Sequence, residues 1–225
     1  MMSLYIYIRG KGGISMNPIL SIWNKPTETL KYILENKTVG YGFLIFLLSA
    51  ISTGAVSMAT TGFFSGMPVA FIVLLSIIIT YGAALIGWVI IAALYTWVGK
   101  WLGGTGKFSD MIRITPASAI LSIWLAPMNF LLVAVYGSRL FEVPTDNLGI
   151  TNLPIGIYLL QNFIMIGVGI YGTVITCKGV GLVHGFSAWR GLGVVAIIFG
   201  IIFLITIIIS IAFAALIFSL FATFG

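Results

Sequence analysis

The chain has 225 residues, 60% of them apolar and only 7% charged, with a formal net charge of +6 and a pI near 9.6. Soluble domains carry about 25% charged residues, so this composition excludes an ordinary soluble domain. One cysteine, Cys177, excludes an internal disulfide, and one histidine, His184, leaves no zinc-binding set.

In chain order, Met1–Ile8 lacks a basic leader and a full apolar core, so no cleavable signal peptide is expected. Gly10-Lys11-Gly12-Gly13 ahead of Met16 back-translates to a purine-rich, ribosome-binding-like run. Translation is therefore expected to start at Met16, with residues 1–15 a non-native or disordered extension. Residues 16–38 form an arm. Within it, Asn24-Lys25-Pro26-Thr27-Glu28 carries a capping side chain, a first-turn proline and an acid near the positive helix end. Leu30, Ile33 and Leu34 then recur on one face, with Lys31, Glu35 and Lys37 at other positions, which predicts an amphipathic helix suited to the membrane surface or to packing beneath the bundle.

Residues 39–225 hold five apolar stretches, at about 39–60, 68–98, 115–136, 153–176 and 192–224. A bilayer core of about 30 Å takes about 20 helical residues, so the expected fold class is all-α, a polytopic bundle of five transmembrane helices. The second and fifth stretches are long enough to tilt or project beyond the lipid. Pro127 is expected to kink the third.

Ten of the eleven Lys and Arg residues fall before the first stretch, between the second and third, or between the fourth and fifth. The opposite loops hold only Arg139, beside Glu142 and Asp146. The positive-inside rule then puts the N-terminus in the cytoplasm and the C-terminus outside. Placed beside the spans, the basic residues read as topology signals and as attraction to lipid head groups; no nucleic-acid partner is expected.

Signatures of catalysis and cofactor binding are missing. Gly103-Gly104-Thr105-Gly106-Lys107 has Trp101 where a phosphate loop needs glycine and Phe108 where it needs a hydroxyl. The spans contain no ionisable pair, and their strongest polar groups are Asn129, Gln161 and Asn162, read as interhelical hydrogen-bonders or as the lining of a substrate path. Gly82, Gly87, Gly167, Gly169 and Gly172 are expected to let helices approach closely.

The basic side is also the motif-rich one. It holds Asn17-Pro18 with Ile22-Trp23-Asn24-Lys25-Pro26-Thr27-Glu28-Thr29, then Gly99-Lys100-Trp101-Leu102-Gly103-Gly104-Thr105-Gly106, then Gly185-Phe186-Ser187-Ala188-Trp189-Arg190. At these residues the chain resembles the bacterial branch of the Yip1-domain family from Met16 to its end. That pattern has an N-P-x-x-x-I-W-x-K-P-R-E-T arm, a G-K-W-L-G-G-x-G loop and a G-F-S-A-W-[KR] loop. Thr27 stands where the pattern has arginine. The resemblance implies five spans and a cytoplasmic N-terminus, hence a bacterial cytoplasmic-membrane protein.

Trp23, Trp101 and Trp189 suit interfacial anchors. The residues beside them suggest more: a composite partner site of Trp23, Lys25, Pro26, Glu28, Lys100, Trp101, Phe186, Trp189 and Arg190, with Lys25, Lys100 and Arg190 free to pair with Glu28 and Asp110 or with an anionic partner. The expected function is a non-enzymatic membrane scaffold or partner-binding subunit. Its expected partners are membrane lipids and a membrane or cytoplasmic protein, with self-association an open alternative. The alternative function is a small-molecule or lipid translocator, or an accessory subunit of a transporter.

Overall fold

The computed structural model describes residues 16–145 and 149–224, and the described residues contain helices and turns but no strand. The extension expected at residues 1–15, and the proposed start at Met16 that would remove it, concern residues outside those described.

Two short helices make the arm, α1 (Pro18–Asn24) and α2 (Pro26–Asn36). Asn17 caps α1, its Oδ1 accepting from the Ile19 N–H at 3.0 Å, and Pro18 occupies the first turn, where its missing N–H costs nothing. Pro26 does the same for α2, and Lys25 is its cap position, with no side-chain capping bond. Leu30 and Ile33 are buried while Thr27, Glu28, Lys31 and Glu35 are exposed. The buried face rests on the bundle.

Four longer units follow. Helix α3 (Val39–Gly54) has 16 residues, about 24 Å, which is short of a bilayer core. Its helix ends where Gly54 meets Ile77: a β-carbon there would stand 2.8 Å from the Ile77 Cα. Helix α4 (Val69–Trp101) has 33 residues. The third unit is broken into α5 (Phe108–Ile114), a 3₁₀ turn at Thr115–Ala117, α6 (Ile120–Ile123) and α7 (Ala126–Tyr136), with a 47° bend between its halves. Pro127 supplies the reason, because it has no N–H for the residue four back and its ring crowds that carbonyl. The break falls just ahead of it, at Trp124-Leu125. Helices α8 (Ile155–His184) and α9 (Ala188–Phe224) then form an antiparallel hairpin.

By length and composition α4, α8 and α9 can each cross a membrane, and a fourth span results if the bent pair counts as one. The main core lies between α2, α3, α4, α5 and the inner halves of α8 and α9, around Trp88. Trp88 donates its indole N–H to the Ile112 carbonyl at 2.9 Å and lies over Gly42, where any β-carbon would meet its ring at 2.6 Å. Phe43 and Phe46 pack against the same ring, both at 5.2 Å. A smaller core gathers Ile72, Leu132, Leu140, Phe141 and Leu153 at the far end.

Candidate functional site

Two of the three motif segments are tied together by His184, the last residue of α8. Its Nδ1 accepts from the Gly106 N–H at 3.1 Å, and its Nε2 lies 3.1 Å from the Tyr95 carbonyl. A carbonyl can only accept and an amide N–H can only donate. The network therefore assigns the neutral ring with its proton on Nε2. The Thr105 N–H adds a bond to the His184 carbonyl at 3.3 Å.

The glycines explain how a ring fits there. A β-carbon at Gly99 or Gly104 would overlap the imidazole, and one at Gly106 would lie 2.9 Å from it. Of Gly103, Gly104 and Gly106, Gly103 alone has a positive φ, +83°, the backbone angle of a tight turn. Gly104 and Gly106 are there for space. On the other side, Gly185 at φ +72° ends α8 in the left-handed conformation, and the chain turns so that the Phe186 N–H reaches the Gly181 carbonyl at 3.0 Å. Phe186 stacks on the imidazole at 5.3 Å with 9° between the rings. We call this arrangement the histidine knot.

Around the knot, Lys100, Trp101, Trp189 and Arg190 point outward. Trp101 is 55% exposed and packs edge-on against Trp97 at 4.4 Å, and Trp189 is 81% exposed. Among the described residues Lys100, Lys107 and Arg190 make no ion pair.

The arm docks elsewhere. Trp23 stacks on Tyr171 at 5.6 Å, and the Tyr171 hydroxyl lies 3.1 and 2.9 Å from the Ile22 and Trp23 carbonyls. Trp124 donates to the Ile19 carbonyl at 3.3 Å, and Lys178 reaches Thr27 Oγ1 at 3.5 Å. Arg113 donates to the Leu34 carbonyl at 3.0 Å, satisfying the last turn of α2, while its other nitrogens hold the Ser109 carbonyl and Asp110. Asp110 is thus taken by Arg113, and Lys25 pairs with Glu28 at 3.8 Å, both 63% exposed. Pro26 serves as the first residue of α2.

The expected set therefore divides. Lys100, Trp101, Phe186, Trp189 and Arg190 surround the knot, whereas Trp23, Lys25, Pro26 and Glu28 belong to the arm. Both groups hang on α8: Tyr171 lies 13 residues before His184, about 20 Å along the helix. Sequence reasoning missed His184, Tyr171 and Arg113. The signal for the first was a lone histidine together with glycines spaced wider than one turn needs.

Asn129 and Asn162 spend their hydrogen bonds on separate carbonyls. Asn129 is buried and donates to the Ser52 carbonyl at 3.0 Å, while Asn162 bonds back to the Tyr158 carbonyl at 2.8 Å. Gly82, Gly87, Gly167 and Gly169 have no atom within 4 Å of a β-carbon position. Away from the knot, close approaches between helices are made by Gly42, Gly54 and Gly191. No group of three or more His, Cys, Asp or Glu that could hold a metal occurs among the described residues.

Long apolar helices, a bent apolar pair and a docked polar arm define a helical membrane protein. The chain also matches the Yip1 domain model over residues 20–211. It belongs to the Yip1-domain family. No curated protein and no solved structure matches it.

Proposed function

We propose that this protein is a non-enzymatic, multi-pass scaffold or partner-binding subunit that works through the face carrying the histidine knot. The observation that supports this is the contrast at the knot: a closely fitted base of His184 and three glycines carries Lys100, Trp101, Trp189 and Arg190 outward, with neither cation in an ion pair among the described residues. Membrane anchoring accounts for exposed tryptophans, but not for the fixed, unpaired cations between them. Such a surface suits an acidic protein segment or phospholipid head groups. The arm, on its own docking place along α8, is a second contact area on the same face.

In this reading α3 and the bent unit both span, giving five spans, and the basic residues place the knot face in the cytoplasm of a bacterial cell. The amphipathic α2 lies along that surface. The translocator alternative would need a polar path through Asn129, Gln161 and Asn162, and the use of Asn129 and Asn162 in bonds to nearby carbonyls favours the scaffold.

Two measurements test the proposal. In mild-detergent capture with mass spectrometry, Lys100→Ala with Arg190→Ala should lose the specific partner at least about fivefold, about 1 kcal/mol per factor of five. Membrane insertion should be unchanged; loss of insertion would make these residues topological only. Cys177 is buried and a poor reporter of sidedness. With that residue replaced by Ser, cysteines introduced singly at Ser187 and Thr145 should differ: an impermeant thiol reagent on intact cells should reach position 145 and miss 187. The reverse pattern would invert the topology.

A further inference from the structure

A groove of about 230 Å³ opens between α4, the turn leading into α6, and the hairpin of α8 and α9. Five hydroxyl residues line it: Tyr95, Ser118, Ser122, Thr173 and Thr176. No charged side chain does. The floor on α8 is glycine: nothing lies within 4 Å of a β-carbon at Gly169, and at Gly172 only Leu121 Cδ1 comes near, at 3.7 Å. These two glycines hold space open instead of admitting a neighbouring helix.

Three of the hydroxyls have spent their protons. Thr173 donates to the Gly169 carbonyl at 2.9 Å, Thr176 to the Gly172 carbonyl at 3.0 Å and Ser118 to the Thr115 carbonyl at 3.3 Å. The Tyr95 and Ser122 hydroxyls have no hydrogen-bond partner among the described residues. Two free donors in a low-dielectric groove favour an uncharged ligand that brings acceptors.

Size and access narrow the choice. The groove is far larger than one water requires, about 15 Å³, and somewhat below the 300–1,000 Å³ typical of sites that enclose a drug-sized ligand. It suits one segment of a molecule whose remainder stays outside. Towards α5 the space narrows to about 10 Å³ among Met111, Ile114 and Ile175, which blocks anything larger than water. The occupant therefore enters from the lipid side. On α4 Tyr95 lies two residues before Trp97 and six before Trp101, about 3 and 9 Å deeper than these exposed rings, and interfacial tryptophans mark the head-group level. Just below that level a glycerophospholipid carries two ester carbonyls, which are uncharged and accept without donating.

We propose that the groove binds the glycerol-ester segment of a membrane diacylglycerophospholipid, with the Tyr95 and Ser122 hydroxyls donating to its ester carbonyls. The acyl chains leave past Val195 and Phe199 into the bilayer. This makes a fixed lipid place within the membrane, separate from the knot face.

The test uses the full chain in nanodiscs of phosphatidylglycerol with a trace of a diester phospholipid carrying a diazirine next to its ester group. Photolysis should label residues 168–173 and 195–199. In the shape-preserving double variant Tyr95→Phe with Ser122→Ala, that labelling should fall about tenfold, as expected for two lost hydrogen bonds. Labelling at 208–211, where lipid merely surrounds α9, should stay constant. A diether phospholipid, lacking the carbonyls, should compete several-fold less well than the diester. Gly172→Leu, which fills the groove, should abolish the labelling while the helix content stays native by circular dichroism. Unchanged labelling in the double variant, equal competition by the diether, or native labelling of a folded Gly172→Leu protein would each overturn the proposal.

Discussion

The inner and outer halves of the α8–α9 hairpin are built from the same residue types and live in different surroundings. In the inner half, Ile175, Cys177, Gly179, Val180 and His184 of α8 and Gly191, Val194, Val195 and Ile198 of α9 are buried. A β-carbon at Gly191 would strike the Cys177 carbonyl oxygen. In the outer half, residues 202–215 of α9 are exposed on every side, and so are Leu159, Leu160, Phe163 and Ile166 of α8. Lipid tails are as apolar as leucine, so burying these side chains against another helix would gain little. What holds helices together in lipid is close fit and hydrogen bonding. The inner half supplies both through its glycines and His184; the outer half is left to lipid.

The strongest way to break this comparison is one methyl group placed in each half. Gly191→Ala should lower stability by about 2–3 kcal/mol, because backbone meets backbone there and neither side can yield. Gly200→Ala, with nothing within 4 Å of its β-carbon, should change stability by less than about 1 kcal/mol and in the favourable direction. Thermal unfolding in detergent, followed by size exclusion, reads both. Equal effects would mean that the two halves are packed alike.

His184→Ala comes next. It removes two hydrogen bonds worth about 1 kcal/mol each and leaves the space of a ring, so a loss of about 2–3 kcal/mol is expected. Amide exchange should show whether the loss is local, with the Gly106 N–H losing protection first.

Arg113→Ala should matter less, and only in the arm and the α5 turn that it braces. Loss of its bond to the Leu34 carbonyl should cost about 1 kcal/mol and raise hydrogen exchange in residues 26–36 about fivefold, leaving the hairpin untouched. Uniform changes across the bundle would contradict the separate docking of the arm. Lys25→Ala should have no measurable effect on stability, since its pairing with Glu28 is mostly in water.

How much of this was legible in the sequence follows from which features are local. The long apolar runs gave α4, α8 and α9 because hydrophobic length needs no partner. Pro127 gave the break in the third unit because a missing N–H acts on its own helix. Helix α1 was readable from Asn17-Pro18, a cap followed by a first-turn proline, yet the reading gave its weight to the next Asn and Pro at positions 24 and 26. Stretch one ran on to residue 60 by hydropathy, whereas its helix ends at Gly54, where Ile77 of α4 comes close.

Glycine was the least legible residue. Gly82, Gly87 and Gly167 share the composition and setting of Gly42, Gly54 and Gly191, but which of them meets a neighbour depends on tertiary packing alone. The candidate site was half legible for the same reason. Its outward residues could be picked by type, but the ring that joins the two loops comes from the far end of α8, 78 residues from Gly106.

The histidine knot also bears on how variation at these positions would be read. Gly99 excludes a side chain because the imidazole fills the space that it leaves, whereas Gly104 also meets the His184 β-carbon and Gly106 also meets Val183. The intolerance of Gly99 is therefore conditional. In a His184→Ala background, alanine at Gly99, whose near neighbours are all ring atoms, should become far less harmful than in the unaltered protein, while Gly103, governed by its own backbone angle, should stay as intolerant as before. Gly99 and His184 then form one epistatic pair, inherited and lost together, and a scan of single substitutions would report two separate requirements where the molecule imposes one.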